Sequence, residues 1–264
     1  MTTGLSYDGT VSGTTSYVTQ IATMAVVAET DPAFQIILPQ MITYAENRMY
    51  RDIDFMFTST SLHGTTFVLT AGNRNLSFNI DLSANTDASA GTFVVSEQIN
   101  LLTDANGNAA TTTNPDACVR YPLLPTTKEF LDAVYGSSLT ANRGKPQYFV
   151  PFNETLFFVG PVPDQAYPVE VVGTYRPNSL SATNLTTFIS LYLPDLFIMA
   201  SMIYVSAYQR NFGRANDDPQ MAVSYESQYQ ALLKSAVVEE ARKKFDAAGW
   251  SSQSPATVAT PSRG

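Results

Sequence analysis

The stretch DPAFQIILPQMITYAENRMYRDIDFMF, residues 31–57, contains the change of texture that decides the fold. Its first part reads as helix. Asp31 is a good capping residue, and Pro32 suits the first helical position, where a missing N–H is no loss. Phe34, Leu38, Met41, Ala45 and Met49 then recur at three-to-four spacing, one apolar stripe running toward Asp52. Pro39 interrupts the stripe and predicts either a kink or a restart with Pro39 in a first turn. From Asp54 the period shortens. Phe55-Met56-Phe57 begins a series of short alternating or β-branched runs, which reads as strand.

Working outward, the N-terminal side adds an amphipathic helix over Ser16–Glu29, with Tyr17, Ile21, Met24 and Ala28 on one side. On the C-terminal side, strand-like runs occur at 66–69, 76–80 and 93–95, separated by Gly, Asn and Ser clusters such as the turn Ala71-Gly72-Asn73. Thr126-Thr127-Lys128-Glu129 is a capping box for a short helix carrying Phe130, Leu131 and Val134, ended by Gly136. Three further strands, 147–150, 156–159 and 169–175, are bracketed by prolines and predict an antiparallel meander. Helix returns after Pro194 and runs to Phe212, apolar nearly all round; a last helix opens at Asp218-Pro219 and runs through Phe245. The expected fold class is α+β: a helical bundle built from both chain ends, with an inserted antiparallel β-rich domain. The expected segments are 1–53 and 181–248 for the bundle helices, 54–180 for the β-rich insertion, and 249–264 for a flexible Ser/Thr/Ala/Pro tail.

Composition excludes several function classes. The 264 residues carry 15 Lys and Arg against 23 Asp and Glu, a net charge of −8. No basic stripe of the kind that displaces counterions from duplex phosphate is present, and 54–180 is the most acidic segment. Arg242, Lys243 and Lys244 close a helix, where positive charge suits the C-terminal dipole. One cysteine, Cys118, allows no internal disulfide and reads as a small buried hydrophobe; one histidine, His63, lies in a turn-like stretch. One Cys and one His do not make a zinc site, so no metal or other cofactor is expected. Asp104, Asn106 and Asn108 offer oxygens at alternate positions, but the glycine and glutamate of a calcium loop are misplaced, and a hairpin loop is expected instead. Phosphate loops, nucleophile elbows and His-Glu metal motifs are missing, and the carboxylate pairs Asp52/Asp54, Asp217/Asp218 and Glu239/Glu240 sit at helix ends or on a helix face; the expectation is no enzyme. The N-terminus shows no basic and apolar leader pattern, and the longest uncharged apolar stretch, 196–208, is too short to span a bilayer; a soluble, non-secreted protein is expected.

Charged residues are only 14% of the chain, against about 25% in an ordinary soluble domain. Composition alone leaves two explanations open, a surface covered by partners or solubility supplied by Ser, Thr and Asn. The charge-poor, Tyr- and Phe-rich segments are the terminal helices and the strands, which favours covered surface and hence assembly.

Several segments, in order, resemble the head-to-tail adaptor (connector, gatekeeper-type) proteins of short-tailed bacteriophages: Leu38–Asp54, Leu124–Ala133, Gly144–Phe149, Tyr167–Pro177, Leu193–Phe197 and Tyr225–Lys244. The resemblance covers roughly residues 34–246; the loops at 83–91 and 104–116 and the tail depart from it. It implies a non-enzymatic ring, usually of about twelve subunits, in the neck of the virion under the portal, extending the DNA channel and presenting a platform for the tail nozzle and fibres. DNA would slide past acidic walls without specific binding. On this resemblance residues 34–52 and 195–245 are the ring-building helices, with Tyr44, Arg48, Arg51, Tyr204, Tyr208, Tyr225 and Tyr229 as subunit-interface candidates. The tail, with Trp250, Val258 and Arg263, is the portal-docking candidate, folding on binding. A different class is a tail component binding receptor or carbohydrate, with Tyr148, Phe149, Phe157 and Phe158 as stacking faces; in alternating strands such rings belong more often to the core.

Overall fold

The structure, a computed structural model, describes residues 4–77, 81–82, 91–209 and 221–247. The chain divides into two compact units, Met1–Met56 with Ser179–Gly264, and Phe57–Asn178.

The chain enters through a short parallel pair, β1 (Gly4–Ser6) and β2 (Thr14–Ser16), and passes directly into α1 (Tyr17–Met24). The Ser16 hydroxyl caps α1 by accepting the N–H of Thr19 at 3.1 Å. The helix stops well short of Glu29. Val27 N–H bonds to Ala22 O at 3.0 Å and Val26 N–H to Thr23 O at 3.1 Å, closing a Schellman turn with Val26 in the left-handed region at φ 55°. In α2 (Pro32–Asp52), Asp31 accepts the N–H groups of Ala33 and Phe34 at 2.9 and 3.0 Å. Pro39 neither ends the helix nor starts a new one. It lies on the exposed side of the helix, opposite the buried stripe. Phe34, Leu38, Met41, Ile42, Ala45 and Met49 form the buried stripe, and Glu46 is buried among them.

The second unit contains β3 (Ser59–Leu62), β4 (Asn75–Ser77), β5 (Gly91–Thr103), β6 (Val119–Pro122), β7 (Leu124–Pro125), α3 (Lys128–Tyr135), β8 (Tyr148–Pro151), β9 (Leu156–Gly160) and β10 (Val169–Pro177). One sheet has the order β3-β10-β5-β6 and is antiparallel throughout; the other has the order β4-β9-β8-β7, with β7 parallel to β8. Apolar residues of both sheets share one core, among them Leu62, Ile99, Leu101, Val169 and Val171 from the first and Leu76, Phe149, Phe157 and Val159 from the second. The expected meander therefore stops after two strands. β8 and β9 pair, but β10 crosses to the other sheet and lies between β3 and β5. The intervening segment carries Pro161, Pro163 and Pro168, which cannot close a tight hairpin and instead lead the chain over.

The turn at Gly72 forms as expected, with φ 78° and Asn73 N–H on Thr70 O at 3.0 Å. Asp104 accepts the N–H groups of Asn106 and Asn108, both at 2.8 Å, and starts the loop joining the antiparallel β5 and β6. Cys118 is half-buried rather than core, its thiol 3.6 Å from Thr112 O. The cap of α3 is Thr127, which accepts Phe130 N–H at 3.3 Å, one residue later than a box pairing Thr126 with Glu129 requires. Leu131 of α3 packs with Val150 and Phe158 in a satellite cluster.

After Ser179 the chain rejoins the first unit through α4 (Phe188–Tyr192), α5 (Pro194–Gln209) and α6 (Met221–Ala247). Thr187 caps α4 in a capping box with Ser190. α5 packs against α1, α2 and α6. At the centre of this core the Tyr17 ring stacks on Phe197 at 4.8 Å, and the Tyr17 hydroxyl donates to Ser201 Oγ at 2.7 Å. The expected stop of α5 at Gly213 and the Asp218-Pro219 start of α6 lie outside the described residues.

Candidate functional site

Two of the interface candidates meet in a polar seam between α2 and α6. Arg48 donates two parallel hydrogen bonds to the Glu226 carboxylate, Nη1 to Oε2 at 2.8 Å and Nη2 to Oε1 at 2.6 Å. Its guanidinium lies 4.4 Å over the Tyr229 ring, and its Nε is 3.5 Å from Asp52. The Tyr229 hydroxyl donates to the same Asp52 carboxylate at 2.8 Å. Arg48 holds Glu226 below the usual carboxylate range, and Glu226 in turn raises Arg48. Burial, then the bond to Asp52, pushes the Tyr229 phenol up. The bidentate pair, the stacked ring and the shared Asp52 carboxylate tie α6 to α2. Tyr229 is fully buried within its own chain.

Tyr44 and Tyr204 form a second pair, rings tilted at 5.7 Å, with Tyr44 on the open side of α2 at 52% exposure. Arg51 is exposed and donates back to Asn47 O at 3.1 Å; Tyr225 is half-buried near the start of α6. Tyr208 is in α5, but its side chain, like Trp250, Val258 and Arg263, lies outside the described residues.

Sequence reasoning missed the acids. Arg48 and Asp52 at i,i+4 are legible on a helix, but nothing local joins Arg48 to Glu226, 178 positions away. It reads Glu240, with Glu239, as charge on a helix face, whereas the structure buries it, and it does not single out the buried Glu46. Glu240 of α6 accepts Met56 N–H at 3.2 Å and pairs with Lys243 Nζ at 2.7 Å, while the neighbouring Lys244 pairs with Asp54. Glu46 of α2 accepts Leu180 N–H at 3.3 Å on each oxygen and the Thr187 hydroxyl at 3.3 Å.

Both long helices leave large apolar side chains uncovered. On α2, Ile36 is 79% exposed on the same side as Tyr44 and Arg51. On α6, Tyr229, Ala236 and Glu240 are buried, while Val223, Val238 and Phe245 point the opposite way and are exposed. A 27-residue helix with one covered face and apolar groups on the other presents a surface suited to a protein partner.

The β unit shows no comparable surface at the four rings considered for stacking. Phe149 and Phe157 lie inside the sandwich core, and Tyr148 and Phe158 pack in the cluster with Leu131 of α3. Burial raises the Cys118 thiol, and the buried His63 Nδ1 has no hydrogen-bond partner among the described residues. Among the described residues no three His, Cys, Asp or Glu side chains converge on a metal-sized site, and no helix is long and apolar enough to cross a membrane.

The family model described as SU10 adaptor protein matches residues 16–259, spanning both compact units. No curated protein matches the chain.

Proposed function

The chain belongs to the SU10 adaptor protein family, and from that premise we propose that it is the head-to-tail adaptor of a short-tailed bacteriophage, assembled as a closed ring of about a dozen copies between portal and tail nozzle. Membership supports the coarser statement directly: a structural, non-enzymatic component of the virion that interacts with other phage head and tail proteins. The match to residues 16–259 carries the reading.

In this reading the helices of both chain ends form one bundle around α5, and the ring closes through its outer faces. Ile36, Tyr44 and Arg51 of one copy and Val223, Val238 and Phe245 of the next supply the lateral contact, while Tyr225 lies on the covered face of α6 with Tyr229. Arg48, Tyr204 and Tyr229 hold the helices that present it. A head-to-tail contact of this kind uses two different patches and generates a ring when the rotation closes. The net charge of −8 fits a channel wall along which DNA slides without being gripped. The tail 249–264, with Trp250, Val258 and Arg263, docks to the portal, and the β unit faces the nozzle or fibres.

Native mass measurement tests the ring, with a closed particle of around a dozen copies expected. Phe245→Glu should reduce that particle to folded monomers, because the side chain is exposed and its loss leaves no cavity. A chain that stays monomeric, with no ring in the virion neck, overturns the reading. Removing 249–264 should abolish capsid attachment while leaving the fold intact.

A further inference from the structure

Glu46 and Glu240 perform the same geometric task at two places where the chain crosses a unit boundary. The units divide between Met56 and Phe57 and again between Asn178 and Ser179. Glu240 captures the amide of Met56 as the chain leaves the helical unit, and Glu46 captures the amide of Leu180 as it returns. Their surroundings differ. Glu240 has the Lys243 ammonium beside it. Glu46, 1% exposed, meets only neutral donors: the Leu180 N–H, the Thr187 hydroxyl and the Ser179 hydroxyl. No salt bridge reaches it among the described residues. The titratable group facing it is Tyr17 of α1, which adds no positive charge and donates its own proton to Ser201 of α5. The groups nearest it from the returning segment and the α4 cap, Ser179, Leu180, Thr187 and Ser190, carry no charge.

We propose that Glu46 is a charge-operated latch on the segment Ser179–Thr187: neutral, it holds the segment against α2; ionised, it lets the segment lift and take the carboxylate to water, while the Glu240 crossing stays held. A buried carboxylate with long hydrogen bonds and no cation gains by reaching solvent once it is charged. Burial pushes Glu46 up to about 7, against the hydrogen bonds from Ser179, Leu180 and Thr187. In the lifted state the carboxyl is solvated and titrates in its ordinary range. Below that range both states are protonated and the latch is at full strength. As pH rises toward about 7, the lifted state ionises first, so opening becomes steadily more favourable, and the change is complete above about 7.

The latch reaches further than one amide. Thr187 is both a donor to Glu46 and the N-cap of α4, so lifting the segment uncaps that helix. The same segment holds the N-terminal strand pair through Tyr7 N–H on Leu185 O at 2.9 Å.

Amide hydrogen exchange of the full chain between pH 5 and 8.5, corrected for intrinsic exchange chemistry, tests the latch. Leu180 protection should fall by about two orders of magnitude across that range, the difference between a buried and a solvated carboxyl, while Met56 stays level. Glu46→Gln keeps the shape, loses the titration and should flatten the Leu180 profile. A level wild-type profile, an equal fall in E46Q, or an equal fall at Met56 overturns the proposal. Should E46Q fail to fold, Thr187→Val removes one donor to the ionised form and must move the Leu180 midpoint to higher pH; an unmoved midpoint is equally fatal.

Discussion

The β unit buries Glu170 and the helical unit buries Glu46 and Glu240, and of these Glu170 and Glu46 treat their charge in opposite ways. Glu170 lies opposite Asn100 in the β10–β5 register and receives hydrogen bonds from Ser61 at 2.7 Å, Asn100 at 2.9 Å and the Arg120 guanidinium at 2.9 Å. Burial alone would raise it, but those bonds and the Arg120 charge outweigh burial and hold it below the usual carboxylate range. Glu46 has donors and no cation, and burial wins. The two act on stability with opposite signs. The Glu170 contribution is present above the ordinary carboxylate range and is lost as pH falls through it. The Glu46 contribution is full below that range and is lost as pH rises toward about 7. In the sheet, four strands aim polar side chains at one point, and the charge becomes a fixed part of the fold. In the helical unit the partner is a loop, and the charge remains negotiable.

The comparison assumes that each unit has its own core, and the largest effects test that. Phe197 is fully buried against Tyr17, and Phe157 is buried in the sandwich beside Phe149. Truncating either to Ala should destabilise by about 4 kcal/mol through lost burial and the cavity left behind. Exchange should locate the damage: Phe197→Ala opens amides of α1, α2 and α5, and Phe157→Ala opens those of β8, β9 and β10. If each variant loosens both sets equally, the cores melt as one cooperative unit and the contrast between them fails.

The second test concerns the cations. Arg120→Met removes the charge beside a nearly inaccessible Glu170 and should lower the denaturation midpoint, with Glu170 displaced upward in its titration. Arg48→Met removes a tighter bidentate pair, with bonds of 2.8 and 2.6 Å against 2.9 and 3.5 Å for Arg120, but Glu226 is 38% exposed and regains water, so about 1 kcal/mol is expected. A larger loss for Arg48 would make the α2–α6 seam, rather than the Glu170 network, the more deeply committed charge.

Local chemistry was legible in the sequence wherever the structure uses it locally. Asp31-Pro32 caps and opens α2, the helix expected from Ser16 begins at Tyr17 with Ser16 as its cap, and Asp104 organises its own loop. Elements settled by distant partners were not. The strand at 169–175 carries the same alternation whether it continues a meander or crosses to the other sheet, and its neighbours, β3 and β5, lie roughly 70 to 110 positions away. The seam shows the same limit. The resemblance names Arg48 and Tyr229 as subunit-interface candidates; that they instead bind each other, Asp52 and Glu226 within one chain depends on tertiary packing that no local pattern encodes. Glu46 sat in plain view on the apolar stripe, one position after Ala45, where a charged residue at a core-facing position is itself the signal.

The smallest effect concerns how the two regions handle strained backbone. In the β unit the left-handed turn positions with φ of 78° and 83° belong to Gly72 and Gly107, residues without a Cβ to clash. The helical unit does the same at Gly9 and Gly13, φ 78° and 79°, but departs from it at Val26, φ 55°, in the C′ position of the α1 Schellman turn where glycine is the usual occupant. A β-branched residue there costs about 1–2 kcal/mol in backbone strain. The side chain is 75% exposed, so removing it forfeits little packing. Glycine also adds about 0.5–1 kcal/mol of unfolded-state entropy that folding must overcome, which offsets part of the gain. Val26→Gly should therefore raise stability by about 0.5 kcal/mol, read as a small upward shift of the denaturation midpoint at unchanged slope. Val26→Ala keeps a Cβ at the same φ and should gain less than glycine. A destabilised V26G would mean that the entropy cost of glycine and the contacts of the valine outweigh the relieved strain.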